Sequence, residues 1–218
     1  MKILLHICCA PCTVYPLQVM SAMGHQVRGF FSNPNIHPYQ EYLRRAATLE
    51  TYAAKVRLPV IWDRTYPLEE FLRGIAFRET ERCRFCYYIR LSATARVARS
   101  GKFDAFTSTL LYSKFQNHEL IKELGQLLVQ EIGVPFYYED FRQGWTEGRN
   151  KANKIGLYKQ QYCGCIFSER DRFMQSHPEQ RTVGFGSKKL WLTGAREWTA
   201  GKEASFFLSD PEFSLKLI

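Results

Sequence analysis

The sequence predicts an α/β fold in which an open, mostly parallel sheet is flanked by helices. Short apolar runs of strand length alternate with longer segments in which apolar residues recur every three or four positions, as on one face of a helix. Helices of that length between strands are typical of parallel sheets with right-handed crossovers. Three cysteines closely follow the first apolar run, so we expect a metal site at the carboxyl ends of the strands, where open α/β sheets bind ligands.

The individual elements follow from these patterns in chain order. Apolar runs predict five strands, over residues 1–7, 26–31, 58–62, 103–107 and 134–138. Helical periodicity predicts seven helices, over residues 13–24, 39–56, 68–75, 79–99, 116–132, 151–161 and 168–175. Beyond Asp140 the patterns weaken, and the sequence from Pro178 onward is glycine-rich and irregular. We therefore expect one α/β domain over residues 1–176 and a C-terminal extension of unassigned role over residues 177–218.

Length and composition restrict the class of protein. A chain of 218 residues is long enough for one good core. Its apolar runs are too short to span a membrane, and the first one, interrupted by His6, is too short for a signal peptide. We expect a cytoplasmic protein without membrane association. Thiols stay reduced in that compartment, so the seven cysteines indicate metal or redox chemistry rather than structural disulfides.

The charge balance allows two interpretations. Thirty Lys and Arg against twenty-one Asp and Glu give a formal charge of +9, which suits a polyanionic partner, most simply nucleic acid. The same charge also suits a basic protein that is merely soluble. Aromatic residues, 15% of the chain, serve base stacking and core packing equally well.

The cysteines fall into three groups that together hold every thiol of the chain. Close pairs of this kind build metal sites from local ligands, and three such groups are strong evidence for a metal. Seven thiols exceed the needs of one zinc ion, whereas an iron–sulfur cluster takes four and leaves three for a second metal. The groups are Cys8, Cys9 and Cys12; Cys83 and Cys86; and Cys163 and Cys165.

A carboxylate could complete the second metal site. Asp140 follows the last predicted strand and therefore lies at the expected edge of the sheet. The alternative is a helix cap or a surface pair with Arg142, and spacing alone favours that alternative.

A different class of function also fits part of the pattern. Cys9-Ala10-Pro11-Cys12, between a strand and a helix, is similar to a thioredoxin-type dithiol that would cycle through a disulfide. This reading leaves the other five cysteines unexplained.

Basic and polar residues near the same edge are candidates for binding phosphate or RNA. Several arginines surround the second cysteine group, among them Arg78, Arg82 and Arg90, although each one alone is expected to be a solvated surface residue. His37 and Asn35 lie in a loop that follows a strand, where ligand-binding residues often occur. We expect His6 to be a core residue and His118 to lie on the surface. Neither a GxGxxG fingerprint nor a Walker A loop is present.

Five motifs follow one another along the chain: His6-Ile7-Cys8-Cys9-Ala10-Pro11-Cys12, Asn33-Pro34-Asn35-Ile36-His37-Pro38, Glu81-Arg82-Cys83-Arg84-Phe85-Cys86-Tyr87, Asp140-Phe141-Arg142 and Tyr162-Cys163-Gly164-Cys165. In this order they resemble the QueH-type epoxyqueuosine reductases, from residue 3 to about residue 168. The resemblance implies the last step of queuosine biosynthesis, in which the epoxide oxygen of epoxyqueuosine is removed in a tRNA anticodon loop.

The resemblance also implies a fold and a set of cofactors. The strand order and the ligand turn after the first strand are similar to Rossmann-like folds of the HUP type, with thiols in place of the phosphate loop. The implied cofactors are a [4Fe-4S] cluster and a second, mononuclear iron, without cobalamin. An external donor, which we expect to be an electron-donor protein, would supply the electrons. Residues 1–176 would then form the catalytic domain.

We hypothesise a division of the metal ligands on this basis. Cys8, Cys9, Cys83 and Cys86 would hold the cluster, while the catalytic set at the second iron would be Cys163, Cys165 and Asp140, with Cys12 serving either metal. Candidate contacts to the RNA substrate are Asn35, His37, Arg78, Arg82, Arg142 and Tyr112, with Tyr138 and Tyr158 as alternative stacking platforms. A non-enzymatic iron–sulfur redox sensor that binds RNA is a further alternative.

Overall fold

The fold is built on a parallel sheet of four strands, as a computed structural model shows for residues 1–174. The predicted extension over residues 177–218 lies outside the described residues. The strand order is β3-β2-β1-β4. The strands are β1 (Lys2–His6), β2 (Gln26–Phe31), β3 (Val60–Trp62) and β4 (Ala105–Ser108). The described part of the chain thus confirms the open, parallel α/β fold.

Helices connect these strands and cover both faces of the sheet. They are α1 (Ala10–Ala22), α2 (Tyr39–Val56), α3 (Leu68–Ile75), α4 (Arg82–Ser100), α5 (His118–Ile132), α6 (Trp145–Lys154) and α7 (Ile166–Met174). Short 3₁₀ turns cover Glu79–Glu81, Thr109–Tyr112 and Phe141–Gly144. Among residues 1–174, no helix combines the length and the hydrophobicity that a membrane span requires.

The central strand β1 shows why the sheet is buried on both faces. Ile3, Leu4 and Leu5 are consecutive and fully buried, as expected of a parallel strand covered by helices on each side. In register, Leu4 lies opposite Arg28 of β2 and Phe106 of β4. The order of the strands reverses beside β1, because the chain moves outward first to β2 and β3 and later to β4. In open α/β sheets, ligands bind in the crevice at this point, outside the carboxyl ends of the strands.

The fifth predicted strand, over residues 134–138, is wrong. That segment makes one isolated parallel bridge, between Phe106 and Phe136. The Phe106 N–H donates to the Pro135 carbonyl at 3.0 Å, and the Tyr137 N–H donates to the Phe106 carbonyl at 2.9 Å. The ladder stops there because β4 leaves the sheet at Ser108, whose side chain accepts a hydrogen bond from the Leu110 N–H and starts a 3₁₀ turn.

Two predicted helix boundaries also shift for local reasons. The helix predicted over 151–161 begins earlier, at Trp145, where it continues a 3₁₀ turn, and it ends at Lys154. Gly156 follows with φ of 73°, in the left-handed region that ends helices. The first helix begins at Ala10 rather than at residue 13, since Pro11 suits the first turn of a helix. Cys12 therefore lies inside that first turn.

Candidate metal centre

The first cysteine group forms a compact cluster at the carboxyl end of β1. Cys8 follows the strand, Cys9 is the N-cap of α1 and Cys12 lies in its first turn. Their sulfur atoms all lie within 4.8 Å of one another, and those of Cys8 and Cys9 are 3.8 Å apart. A helix N-terminus favours negative charge, so this position suits thiolates.

The three thiols differ in how readily they ionise. Hydrogen bonds from Cys12 and Cys9 hold the pKa of Cys8 well below its usual range. Burial raises the pKa of Cys9, and the hydrogen bond to Cys8 raises the pKa of Cys12. Of the three thiols, the pKa directions favour ionisation of Cys8 first. A bound metal ion would deprotonate all three.

The second and third groups lie next to each other at the same end of the sheet. Cys83 and Cys86 stand in the first turn of α4, Cys83 exposed and Cys86 buried. Cys165 packs beside Cys86 in a small apolar cluster with Phe71 and Ile75. Burial raises the pKa of both Cys83 and Cys86, and the charges of Cys163 and Cys165 raise it further, so the four sulfurs influence one another electrostatically.

A buried arginine on α2 holds the third group in place. Arg45 donates from Nη1 to the Cys163 carbonyl at 2.7 Å and from Nη2 to the Tyr162 carbonyl at 3.1 Å. Its Nε donates to Glu41 Oε1 at 2.7 Å, so the charge is paired. Gly164 lets the loop approach closely, since a Cβ there would stand 2.9 Å from Asn35 Nδ2. The loop is therefore fixed by contacts with the element that follows β2.

A second buried arginine connects the first two groups. Arg90 on α4 is 2% exposed, and it donates from Nη1 to Cys86 Sγ at 3.6 Å and from Nη2 to Asn33 Oδ1 at 2.9 Å. Its Nε lies 3.3 Å from Nε2 of His6. Burial alone would lower the pKa of Arg90, but the charges of Cys86 and Cys8 outweigh it and raise that pKa.

The surroundings of Arg90 indicate what kind of ligand the site takes. Among residues 1–174, no carboxylate oxygen forms an ion pair with it. A buried guanidinium needs a negative partner, and Cys86, whose sulfur accepts from Arg90, would supply one as a metal-bound thiolate. Among residues 1–174, the three thiols of Cys8, Cys9 and Cys12 lie within 4.8 Å of one another at the switch point of the sheet. This donor set fits a thiolate-bound metal or iron–sulfur cluster.

Asp140 lies in a local hydrogen-bonded turn. Its Oδ1 accepts from the Arg142 backbone N–H at 3.0 Å and from the Arg142 Nε at 2.8 Å, while Oδ2 pairs with Nη2 at 2.5 Å. These are the cap and the pair with Arg142 that the spacing favoured. Within the described residues, neither Asp140 nor the other four cysteines join the cluster of Cys8, Cys9 and Cys12 within 4.8 Å, and their roles as metal ligands stay predictions.

His118 is buried, so its expected surface position is wrong. It is 4% exposed at the start of α5, where its Nδ1 lies 4.0 Å from Asp140 Oδ1. His6 is a core histidine, as predicted, with Nδ1 2.8 Å from Ser108 Oγ.

The other candidate residues lie around this edge in different settings. Asn35 and His37 are buried beneath the third group, and the His37 N–H donates to the Gly164 carbonyl at 2.8 Å. Arg78 is exposed, and Arg82 pairs with Asp171 at 2.9 Å. Tyr112 is buried, and its hydroxyl donates to the Trp145 carbonyl at 3.0 Å. Their contacts with substrate stay predictions.

Sequence reasoning missed three polar side chains that contact the thiols. Thr109 Oγ1 accepts from the Cys8 N–H at 3.1 Å and donates to Cys8 Sγ at 3.3 Å. Gln160 Nε2 donates to Cys9 Sγ at 3.1 Å, and Gln116 Nε2 donates to Cys163 Sγ at 3.4 Å. Thr109 had a usable signal, since it follows β4 directly, next to the strand that ends at Cys8. The two glutamines had none, since the sequence predicted helix at both positions, whereas the structure places them in irregular segments.

The dithiol alternative does not agree with this geometry. Cys9 and Cys12 are 1% and 6% exposed, and the pKa of each is raised, Cys9 chiefly by burial and Cys12 chiefly by its hydrogen bond to Cys8. A thioredoxin-type nucleophile needs an accessible thiol with a lowered pKa.

Comparisons with known proteins give one consistent result. The family model described as epoxyqueuosine reductase QueH matches residues 3–171. A protein of that name from Dehalococcoides mccartyi is 35% identical over 172 residues, which are 79% of this chain and 94% of the relative. One from Thermotoga maritima is 31% identical over 81% of this chain and 94% of its own length. One from Staphylococcus epidermidis is 34% identical, with coverages of 77% and 76%.

Proposed function

This chain belongs to the epoxyqueuosine reductase QueH family and is an oxidoreductase, and we propose that it removes the epoxide oxygen of epoxyqueuosine in a tRNA anticodon loop. The conversion of an epoxide to an alkene takes two electrons and two protons and releases the oxygen as water. The observation that carries the proposal is the cluster of three thiols, those of Cys8, Cys9 and Cys12, at the switch point of the sheet. Action on tRNA agrees with the formal charge of +9 and with the expected cytoplasmic location.

The proposed cofactors are a [4Fe-4S] cluster and a second iron, without cobalamin. Cys8, Cys9, Cys83 and Cys86 are the proposed cluster ligands, because Arg90 interacts with members of both groups. Cys163, Cys165 and Asp140 are the proposed ligands of the second iron, with Cys12 available to either. Bound there, the metals would supply single electrons and Lewis acidity toward the epoxide oxygen. An external electron donor must restore the two electrons after each turnover.

Protein groups around the thiols have roles that follow from their positions. Arg90 and Arg45 place buried positive charge beside a centre whose thiolates are negative, which lowers the cost of keeping that charge out of water. Thr109, Gln160 and Gln116 donate hydrogen bonds to sulfur, and such bonds tune the reduction potential of a cluster. Cys83 and Cys163 are exposed, so substrate would approach from their side.

The first experiment is anaerobic purification of the 218-residue chain with iron and sulfide analysis and a visible spectrum. We expect a brown protein with more iron than sulfide, about one extra iron per four-iron cluster. It should convert epoxyqueuosine-containing tRNA to queuosine-containing tRNA when a chemical reductant is supplied. Iron-free protein with full activity would disprove the proposed cofactors, and iron-loaded protein that leaves the modified base unchanged would favour the non-enzymatic sensor.

A further inference from the structure

An exposed phenylalanine stands beside the metal centre. Within the described part of the chain, Phe115 is 84% exposed, although a phenyl ring is normally buried. The next residue, Gln116, donates from Nε2 to Cys163 Sγ at 3.4 Å, and its Oε1 accepts from the Tyr87 hydroxyl at 2.9 Å. Consecutive Cα atoms are about 3.8 Å apart, so the backbone that carries the Phe115 ring lies next to the residue that contacts Cys163.

The loop that carries this ring is held by hydrogen bonds. The Phe115 N–H donates to Ser113 Oγ at 3.3 Å, and the Gln116 N–H donates to the Ser113 carbonyl at 3.4 Å. On the far side, Asn117 caps α5 by accepting from the Leu120 N–H at 3.1 Å. A fixed turn therefore presents the ring to solvent. The loop loses little further conformational entropy when a partner binds.

A row of aromatic rings supports Phe115 from below. Its ring meets Trp145 edge-on, with centroids 5.8 Å apart, and Trp145 lies 5.1 Å from Tyr112. Tyr112 in turn lies 6.3 Å from Tyr15 of α1. The row runs from the core to the surface, and Phe115 is its exposed end.

Positive charge lies next to this exposed end. The Lys114 Nζ stands 6.0 Å from the centroid of the Trp145 ring, and its side chain is exposed. A cation for phosphate beside an aromatic face for a base is the combination with which proteins hold single-stranded nucleic acid. An unpaired loop nucleotide therefore suits this patch better than an apolar protein surface does.

We propose that Phe115, with Lys114 and Trp145, is the platform on which an unpaired anticodon-loop base stacks when the substrate enters the metal centre. The inference rests on the proposed function and names the contact that positions its RNA. Tyr112, a candidate platform by sequence, supports Trp145 from the buried side. Stacking on Phe115 would place the neighbouring nucleotide near the exposed Cys163.

The test measures binding of an unmodified anticodon stem-loop RNA by the iron-loaded full chain. Phe115→Leu should weaken binding about ten-fold, because each stacked base contributes roughly 1–3 kcal/mol. Phe115→Tyr keeps the ring and should bind like the wild type. Lys114→Gln should reduce the slope of log K against log salt by about one. The matched control is Val56→Ala, a change at a 40% exposed residue that ends α2 at the opposite edge of the sheet and should alter nothing.

The outcomes separate this inference from the function on which it rests. Equal binding by wild type and Phe115→Leu, with deoxygenation intact, overturns the platform alone. A second result would also overturn the platform: Phe115→Leu binds RNA normally, but its turnover is slower with a protein electron donor and unchanged with a chemical reductant. That result would mark the patch as the site where the electron donor binds. A wild type that neither binds the RNA nor reduces epoxyqueuosine overturns the proposed function and the platform with it. Iron content and thermal midpoint serve as folding controls, and we expect both to be unchanged in all variants.

Discussion

The two buried arginines beside the thiols have different charge partners. Arg45 is paired with Glu41, whereas Arg90 contacts Cys86, Asn33 and His6. A buried cation that has no carboxylate partner favours the thiolate forms of the neighbouring cysteines over their neutral forms. Burial raises the pKa of Cys86, and the charge of Arg90 opposes that rise and so favours the thiolate form that a bound metal requires.

Arg90→Leu tests this balance. It should strip most of the iron from the anaerobically reconstituted protein and lower the free energy of unfolding of the loaded form by about 3–5 kcal/mol, because buried thiolates lose their counter-charge. The matched control on the same helix is Arg84→Leu, which removes an exposed pair with Glu123 and should cost at most about 1 kcal/mol. Iron analysis and urea unfolding measure both effects. Normal iron content in Arg90→Leu would show that the thiols need no buried cation.

Gly164 offers a second test at residue scale. Gly164→Ala places a methyl group 2.9 Å from Asn35 Nδ2 and should displace the loop of Cys163 and Cys165. We expect a cost of about 1–3 kcal/mol and a loss of iron beyond the cluster, read as a lower ratio of iron to sulfide. Gly156→Ala is the control: it shares an unfavourable backbone, with φ of 73°, but meets no atom within 4 Å. Equal ratios of iron to sulfide in Gly164→Ala and Gly156→Ala would show that the close packing of Gly164 does not position the loop.

At the scale of elements, α5 shows how local signals fix a helix that carries site residues. Asn117 caps its first turn, and Gly133 ends it in the left-handed region with φ of 79°. The segment before the cap contains Phe115 and Gln116, so the start of this helix sets their position relative to Cys163.

Removal of the cap should therefore affect both stability and the site. Asn117→Ala should lower the free energy of unfolding by about 1 kcal/mol, whereas Asn117→Asp, which can accept the same hydrogen bond, should stay close to the wild type. Urea unfolding measures the stability, and hydrogen exchange of the amides of residues 113–120 reports the loop. If hydrogen exchange of these amides is unchanged in Asn117→Ala, the order of the loop does not depend on the cap.

Most elements were predictable because their signals are local. The periodicity of α2 and the apolar run of β1 each depend on neighbouring residues, and both formed as expected. The fifth strand failed because its pairing depends on where β4 ends, which the segment itself does not encode. The cluster of Cys8, Cys9 and Cys12 was predictable, since three thiols directly follow the strand β1. The burial of Arg90 and Arg45 was not, because arginine in a sequence reads as surface charge.

At the scale of the whole molecule, the proposed metal centre would join distant parts of the chain. The thiols come from the end of β1, the start of α4 and the loop before α7. A ligand that binds only the folded state stabilises it by RT ln(1 + [L]/Kd), so the metals should contribute to the stability of the entire domain.

Removal of the iron with a chelator should therefore lower the thermal midpoint of the domain by several degrees. The loop over residues 155–165 depends on Arg45, Tyr158 and the thiols for its position, so it should become the first site of limited proteolysis. Calorimetry and mass spectrometry of the fragments measure the two effects. Identical midpoints with and without iron would mean that the metals add nothing to the fold.

The separation of the thiols along the chain has a consequence for biosynthesis. Cys8, Cys9 and Cys12 leave the ribosome long before Cys163 and Cys165 are translated, while Arg90 lies midway between them. The proposed centre could not be completed on a nascent chain that ends before residue 165, because two of its proposed ligands would not yet exist. On this proposal, metal loading follows translation of nearly the whole domain, and the metal-free protein is the form that receives the metal.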